Sequence, residues 1–177
     1  MAADHTVTTS AVVVLGDALE CLGALHSESA VVLPDSTGGR YAQTVVIGLN
    51  GAAATSRRGL RSLLRRQAQA CISVCMQRPT LRHLIVVVDA SPTIAEDAVL
   101  TVCDEAAETT HRWIEQDCGA YVVVTFVVVT GCDNSELLAR RVVCRAGQIP
   151  ASDAHGVVNW REIAAASIQD LTADHYL

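Results

Sequence analysis

The chain contains no lysine: all thirteen of its basic residues are arginine, set against nineteen acidic ones, for a formal net charge of -6. That balance argues against a generic nucleic-acid binder, because neutralising phosphates needs a basic surface, and no sequence-specific contact to nucleic acid is expected. The arginine-only usage fits codon bias in a GC-rich genome more readily than selection for bidentate pairing. Aromatic residues are scarce at 3%, which sets aside an aromatic-rich β-sandwich. No C-x-x-C occurs among the seven cysteines, nor any His pair at zinc spacing, so the cysteines read as reduced, mostly buried apolar residues. No apolar run approaches the roughly 18 residues that cross a bilayer, and the polar start fits no secretory signal. An intracellular protein without membrane association is expected.

What the chain has in abundance is Val, Ala and Leu. Hydrophobic residues make up 50% of 177 residues with only four prolines, enough for one sizeable core. The expected organisation is a loose tail over 1–9 and a single α/β domain over 10–177. Residues 84–93 (LIVVVDASPT) are the centre of the pattern: a β-branched run ends abruptly in Asp, Ser and Pro, as a buried parallel strand does when it hands over to a helix.

Upstream, 10–15 (SAVVVL), 29–33 (SAVVL) and 41–49 (YAQTVVIGL) read as short strands broken by turn residues, giving an N-terminal edge hairpin or meander. A helix then starts near Thr55 or Ser56, with Leu60, Leu64, Ala68, Cys71 and Cys75 on one stripe. Residues 93–117 read as a second helix, opened by a Thr93/Glu96 capping box, with Ile94, Ala98, Val102, Ala106, Trp113 and Ile114 inward. Its outer face is acidic. Residues 120–130 form another doubly buried strand, 133–144 a helix with Asp133 and Glu136 at capping-box spacing, 149–158 a short edge strand, and 159–171 a last helix opened by Asn159 and Glu162. This alternation, with right-handed crossovers, predicts a mostly parallel sheet with helices on both faces, a three-layer Rossmann-like sandwich.

Three groups of residues invite a functional reading. Asp89, Ser91 and Thr93 have the D-x-S-x-T spacing that can hold a divalent cation such as Mg2+ at a strand tip, although the same residues also suit helix capping, which carries the greater weight. No other cofactor is expected. Residues 48–56 have the general shape of an anion-binding strand-to-helix loop but match neither the P-loop nor G-x-G-x-x-G, so a tight connection is the better reading. Arg57, Arg58, Arg61, Arg65 and Arg66 make one helix basic; a solvated face is the usual explanation, pairing with the acidic helix or a protein partner is the alternative, and nucleic acid comes third. No G-x-S-x-G elbow or cysteine-nucleophile context is present, and none of the six histidines stands out as a base.

Through LRHLIVVVDASPT, AYVVVTFVVVTGCDNSELLARRV and RAGQI, residues 55–171 resemble the later part of a von Willebrand factor A domain. They are most similar to the small A-domain subunits of the transcription and repair factor TFIIH, and more distantly to the proteasomal ubiquitin receptor of that fold. The resemblance places Asp89 at the strand tip that often carries a metal-site Asp. It implies a non-enzymatic subunit of an intracellular, more specifically nuclear, multiprotein assembly that binds protein partners. The family's opening D-x-S-x-S strand has no counterpart upstream, where residues 12–20 offer only Asp17, and its C-terminal zinc module is absent. The rival expectation is a ligand-binding enzyme of the doubly wound class, using the strand tips at Asn50, Asp89 and Gly131.

Overall fold

In the computed structural model, residues 11–149 and 154–173 are described, so the tail expected over 1–9 lies outside them. Five strands form one all-parallel sheet in the order of the sequence: β1 (Val12–Gly16), β2 (Thr44–Gly51), β3 (His83–Ala90), β4 (Val123–Val128) and β5 (His155–Asn159). The helices are α1 (Thr37–Arg40), α2 (Arg57–Met76), α3 (Glu96–Cys118), α4 (Ser135–Ala146), α5 (Trp160–Ala165) and α6 (Ile168–Ala173). The expected α/β class and three-layer arrangement hold.

Alternation along each strand builds two separate cores. Val45, Ile47, Leu84, Val86, Val124 and Phe126 face α2 and α3. Val46, Ile85, Val87, Val127 and Val158 face α4, α5 and two 3-10 turns at Glu20–Leu22 and Ala24–Ser27. Burial on both sides is why β3 and β4 are continuous apolar runs.

The N-terminal hairpin is corrected. β1 pairs with β2 in parallel, Val12 opposite Thr44 through Gly16 opposite Gly48. A hairpin would require antiparallel neighbours, and the intervening chain instead forms the 3-10 turns on one face. The strand expected at 29–33 shrinks to a single parallel bridge from Val31 to Val12 on the outer edge.

A second correction concerns crossovers. Steps from β2 to β3 to β4 to β5 all move the same way across the sheet, yet α2 and α3 cover one face and α4 the other. A same-direction step on the opposite face has the opposite hand, so the three helical crossovers cannot all be right-handed as strand twist favours.

Several helix starts also shift. Ser56 caps α2 by accepting from the Gly59 amide, and the stripe of Leu60, Leu64, Ala68, Cys71 and Cys75 is buried as expected. The Thr93/Glu96 capping box does not form: Ala95 is the N-cap of α3, because Ser91 and Thr93 are engaged with each other. The buried stripe of α3 is Val99, Val102, Cys103, Ala107, His111 and Ile114, rotated by one residue from the expected one, which leaves Ala98, Ala106 and Trp113 at its margin. Asn134, one residue beyond Asp133, caps α4. Asn159 and Glu162 do make their capping box, but the last helix breaks after Ala165 and Ser167 restarts it.

Candidate functional site

A parallel sheet gathers its strand tips at one end, and a crevice opens wherever neighbouring strands send their loops to opposite faces. That happens twice here. Between β1 and β2 the crevice is closed by the chain itself: the Asn50 amide donates to Asp17 Oδ2 at 2.8 Å, and the Asp17 amide donates to the Gly48 carbonyl at 2.8 Å. Between β3 and β4 it is only bridged, by the Ala90 amide donating to Thr130 Oγ1 at 3.1 Å and Thr130 Oγ1 donating back to the Ala90 carbonyl at 3.2 Å.

Cavities flank that bridge. On the α4 side, about 360 Å³ is lined by Glu20, Cys21, Asp89, Cys132, Asp133 and Ser135, among others. On the α3 side, about 380 Å³ is lined by residues including Ser91, Glu96, Thr130, Asn159, Trp160 and Arg161. The expected D-x-S-x-T set is thereby split. Asp89 lines the first cavity and Ser91 the second, while Ser91 Oγ and Thr93 Oγ1 lie 2.9 Å apart and Thr93 Oγ1 also reaches the Thr55 carbonyl at 3.4 Å. Among the described residues, no group of three or more His, Cys, Asp or Glu side chains converges as metal ligands.

Burial dominates the electrostatics of the first cavity. It raises the Asp89 carboxyl above its ordinary 3.8. It also raises Cys132, and together with neighbouring Cys132 and Asp89 it pushes Cys21 up to about 11. Both thiols are thus protonated at neutral pH and poor nucleophiles. Cys71, Cys75 and Cys103 are driven by burial to about 12. All seven cysteines are free, but only those three are fully buried; Cys21, Cys118 and Cys132 are half-buried and Cys144 is exposed.

A carboxyl whose folded value is raised binds its proton more tightly in the native than in the unfolded chain. Stability therefore falls as pH rises from 3.8 through the folded value, and the cost persists above it. Asp89→Asn is accordingly expected to melt above the parent at pH 7, with the gap closing as pH falls through the raised folded value toward 3.8. Melts across pH check this. A parent more stable than the variant at pH 7 would mean that the ionised carboxylate is held by a favourable interaction.

Two histidines serve as internal fasteners. His83 Nε2 lies 2.8 Å from the Gln148 carbonyl, so that nitrogen carries the proton, and burial lowers the ring's pKa. His111 Nδ1 is bonded in the same way to the Val122 carbonyl at 2.8 Å.

The second candidate surface is the outer side of α2 and α3. Arg61 makes two bonds to Glu105 Oε2, from Nε at 3.0 Å and Nη2 at 2.6 Å, and Arg57 approaches Oε1 at 3.6 Å. Two of the five arginines are therefore engaged within the molecule. Arg58, Arg65 and Arg66 are exposed and make no ion pair among the described residues. Beside them runs a groove of about 220 Å³, with Leu64, Ala68, Val102, Ala106 and Trp113 on its walls and Arg61, Arg65 and Glu105 at its rim. Trp113 was legible as an inward helix residue; its place in a groove follows only from the one-residue rotation of α3.

The Arg61–Glu105 pair is half exposed on both sides, and such pairs contribute about 1 kcal/mol at most. The double variant Arg61→Ala/Arg65→Ala is expected to keep a cooperative, near-parental circular dichroism melt. A collapse of the melt would show that the arginines hold α2 to α3.

No family model, curated protein or solved structure matches the chain. No helix among the described residues is long and apolar enough to cross a membrane.

Proposed function

We propose that the chain is a non-enzymatic interaction domain that docks a protein partner on the α2/α3 face. The observation that carries the reading is the groove itself, an apolar floor ending in Trp113 with a charged rim and unpaired arginines beside it. Interfaces combine these features: aromatic and arginine anchors within a polar surround. Charge complementarity with Arg58, Arg65 and Arg66 selects a partner segment that carries acidic residues next to apolar ones. The resemblance of residues 55–171 to TFIIH A-domain subunits supports a finer reading, a nuclear transcription and repair assembly.

Tagged protein from its own cells is expected to elute in a complex larger than the monomer. Trp113→Ala with Arg65→Glu should release it as monomer, whereas Arg140→Glu on the exposed side of α4 should not. A wild-type protein recovered only as monomer, or a complex indifferent to the groove variant, would overturn the proposal.

The bridged β3/β4 crevice supports a second reading, a small-ligand or nucleotide site of the doubly wound class, with Mg2+ as the cation its oxygens would suit. A saturable thermal shift with a nucleotide or Mg2+, abolished by Asp89→Ala, would favour it. An unresponsive melt would remove it.

A further inference from the structure

At the opposite end of the sheet from the strand tips, the chain leaving α2 buries a cation that has no counter-ion among the described residues. Arg78 follows the helix's C-cap, Gln77, and its amide donates to the Cys75 carbonyl at 3.0 Å. Its side chain is withdrawn from solvent, the residue being only 7% exposed, and its Nε is buried with no hydrogen-bond partner. Among the described residues no carboxylate lies within ion-pair distance of it. The carbonyl end of α2 eases the charge electrostatically, but a guanidinium has five donors in a planar fork and is matched by a planar or tetrahedral oxyanion.

A cavity of about 380 Å³ lies against it, lined by Pro34, Asp35, Arg40, Gln77 and Arg78. Arg40 is exposed at the end of α1 and brings a second guanidinium to the same space. The lining thus offers two cationic forks, one amide and one carboxylate. Asp35 lines the same cavity but makes no ion pair with either arginine. A complementary ligand presents an anion to the arginines and a hydrogen-bond donor to Asp35, and the volume falls in the range of small-molecule sites.

We propose that this cavity binds a small organic phosphate carrying hydroxyl groups, the phosphate on Arg78 and Arg40 and a hydroxyl donating to Asp35. Burying an unpaired guanidinium is unfavourable in isolation, and a bound phosphate would remove that cost through charge-assisted bonds. The site is separate from the α2/α3 groove and from the β3/β4 crevice, so its fate is independent of both functional readings.

The test is calorimetric titration and thermal shift of the full chain at low ionic strength with ribose 5-phosphate, inorganic phosphate and ribose. Ribose 5-phosphate is expected to bind saturably and more tightly than inorganic phosphate, with ribose silent. Arg40→Ala, an exposed substitution that leaves the core untouched, should weaken binding roughly tenfold, and Arg78→Gln by roughly a hundredfold, as expected for loss of charged hydrogen bonds. Asp35→Asn should erase the preference for ribose 5-phosphate over inorganic phosphate. If Arg78→Gln does not fold, the Arg40 and Asp35 variants decide the matter. No saturable binding of either phosphate, or binding unchanged in Arg40→Ala, would overturn the proposal.

Discussion

Val87→Asp and Val127→Asp are each expected to prevent accumulation of soluble folded protein. The two valines sit opposite one another in the β3–β4 register, and both are fully buried. They belong to the core beneath α4, with Leu138, Val142 and Ile163. Both positions are closed to solvent and walled by apolar side chains, which cannot receive a carboxylate. Placing one there leaves an unpaired charge in low dielectric or forces it to take a proton, and either route costs several kcal/mol. A domain holds only about 5–15 kcal/mol in total, and the substitution also disturbs packing in both halves of the pair. Circular dichroism melts decide it. A cooperative, near-parental transition for either variant would mean that the sheet is not centred on these strands.

Gly48→Ala is the second large effect, and it comes from backbone rather than charge. Gly48 lies inside β2, paired on both sides, opposite Gly16 of β1 and Val87 of β3. After β1 the chain turns at Gly16, whose φ of 84° is left-handed, and folds down so that Asp17 sits over Gly48. A methyl group on Gly48 would stand 2.3 Å from the Asp17 carbonyl oxygen and 3.2 Å from Leu22 Cδ1. The nearer obstacle is backbone tied by its own hydrogen bond, so it cannot swing aside as a flexible side chain could. Overpacking of this kind costs about 3 kcal/mol, which for a chain of this size lowers Tm by roughly 6–12 °C. An unchanged Tm would show that the β1 tip is free to lift away.

The same two regions show what could be read from the residues. The strands β3 and β4 were legible because helices bury them on both sides, which writes an unbroken β-branched run into the sequence. The stripe of α2 was legible because one buried face and one solvated face impose a 3.6-residue period. The N-terminal quarter was not, since 3-10 turns have no such period and the parallel pairing of β1 with β2 is a contact across some thirty residues. The choice of face for α4 is likewise absent from any local pattern. Thr93 misled for a specific reason: its hydroxyl satisfies Ser91 and the Thr55 carbonyl rather than an amide of α3. The split of Asp89 from Ser91 runs against the strand period, which would put residues two apart on one face; β3 ends at Ala90, so Ser91 lies past the strand and no longer follows that period. Arg78 carried no signal at all, because nothing about a lone arginine before Pro79 says that its guanidinium is buried.

The functional account rests on the α2/α3 face being where a partner binds, and amide hydrogen exchange on the purified assembly tests that most directly. Compared with the isolated chain, the assembly is expected to gain protection in α2 and α3, concentrated around Arg65, Ala68, Ala106 and Trp113, with the strand tips unchanged. Protection confined to residues 89–93 and 129–135, with α2 and α3 exchanging as in the free chain, would contradict it.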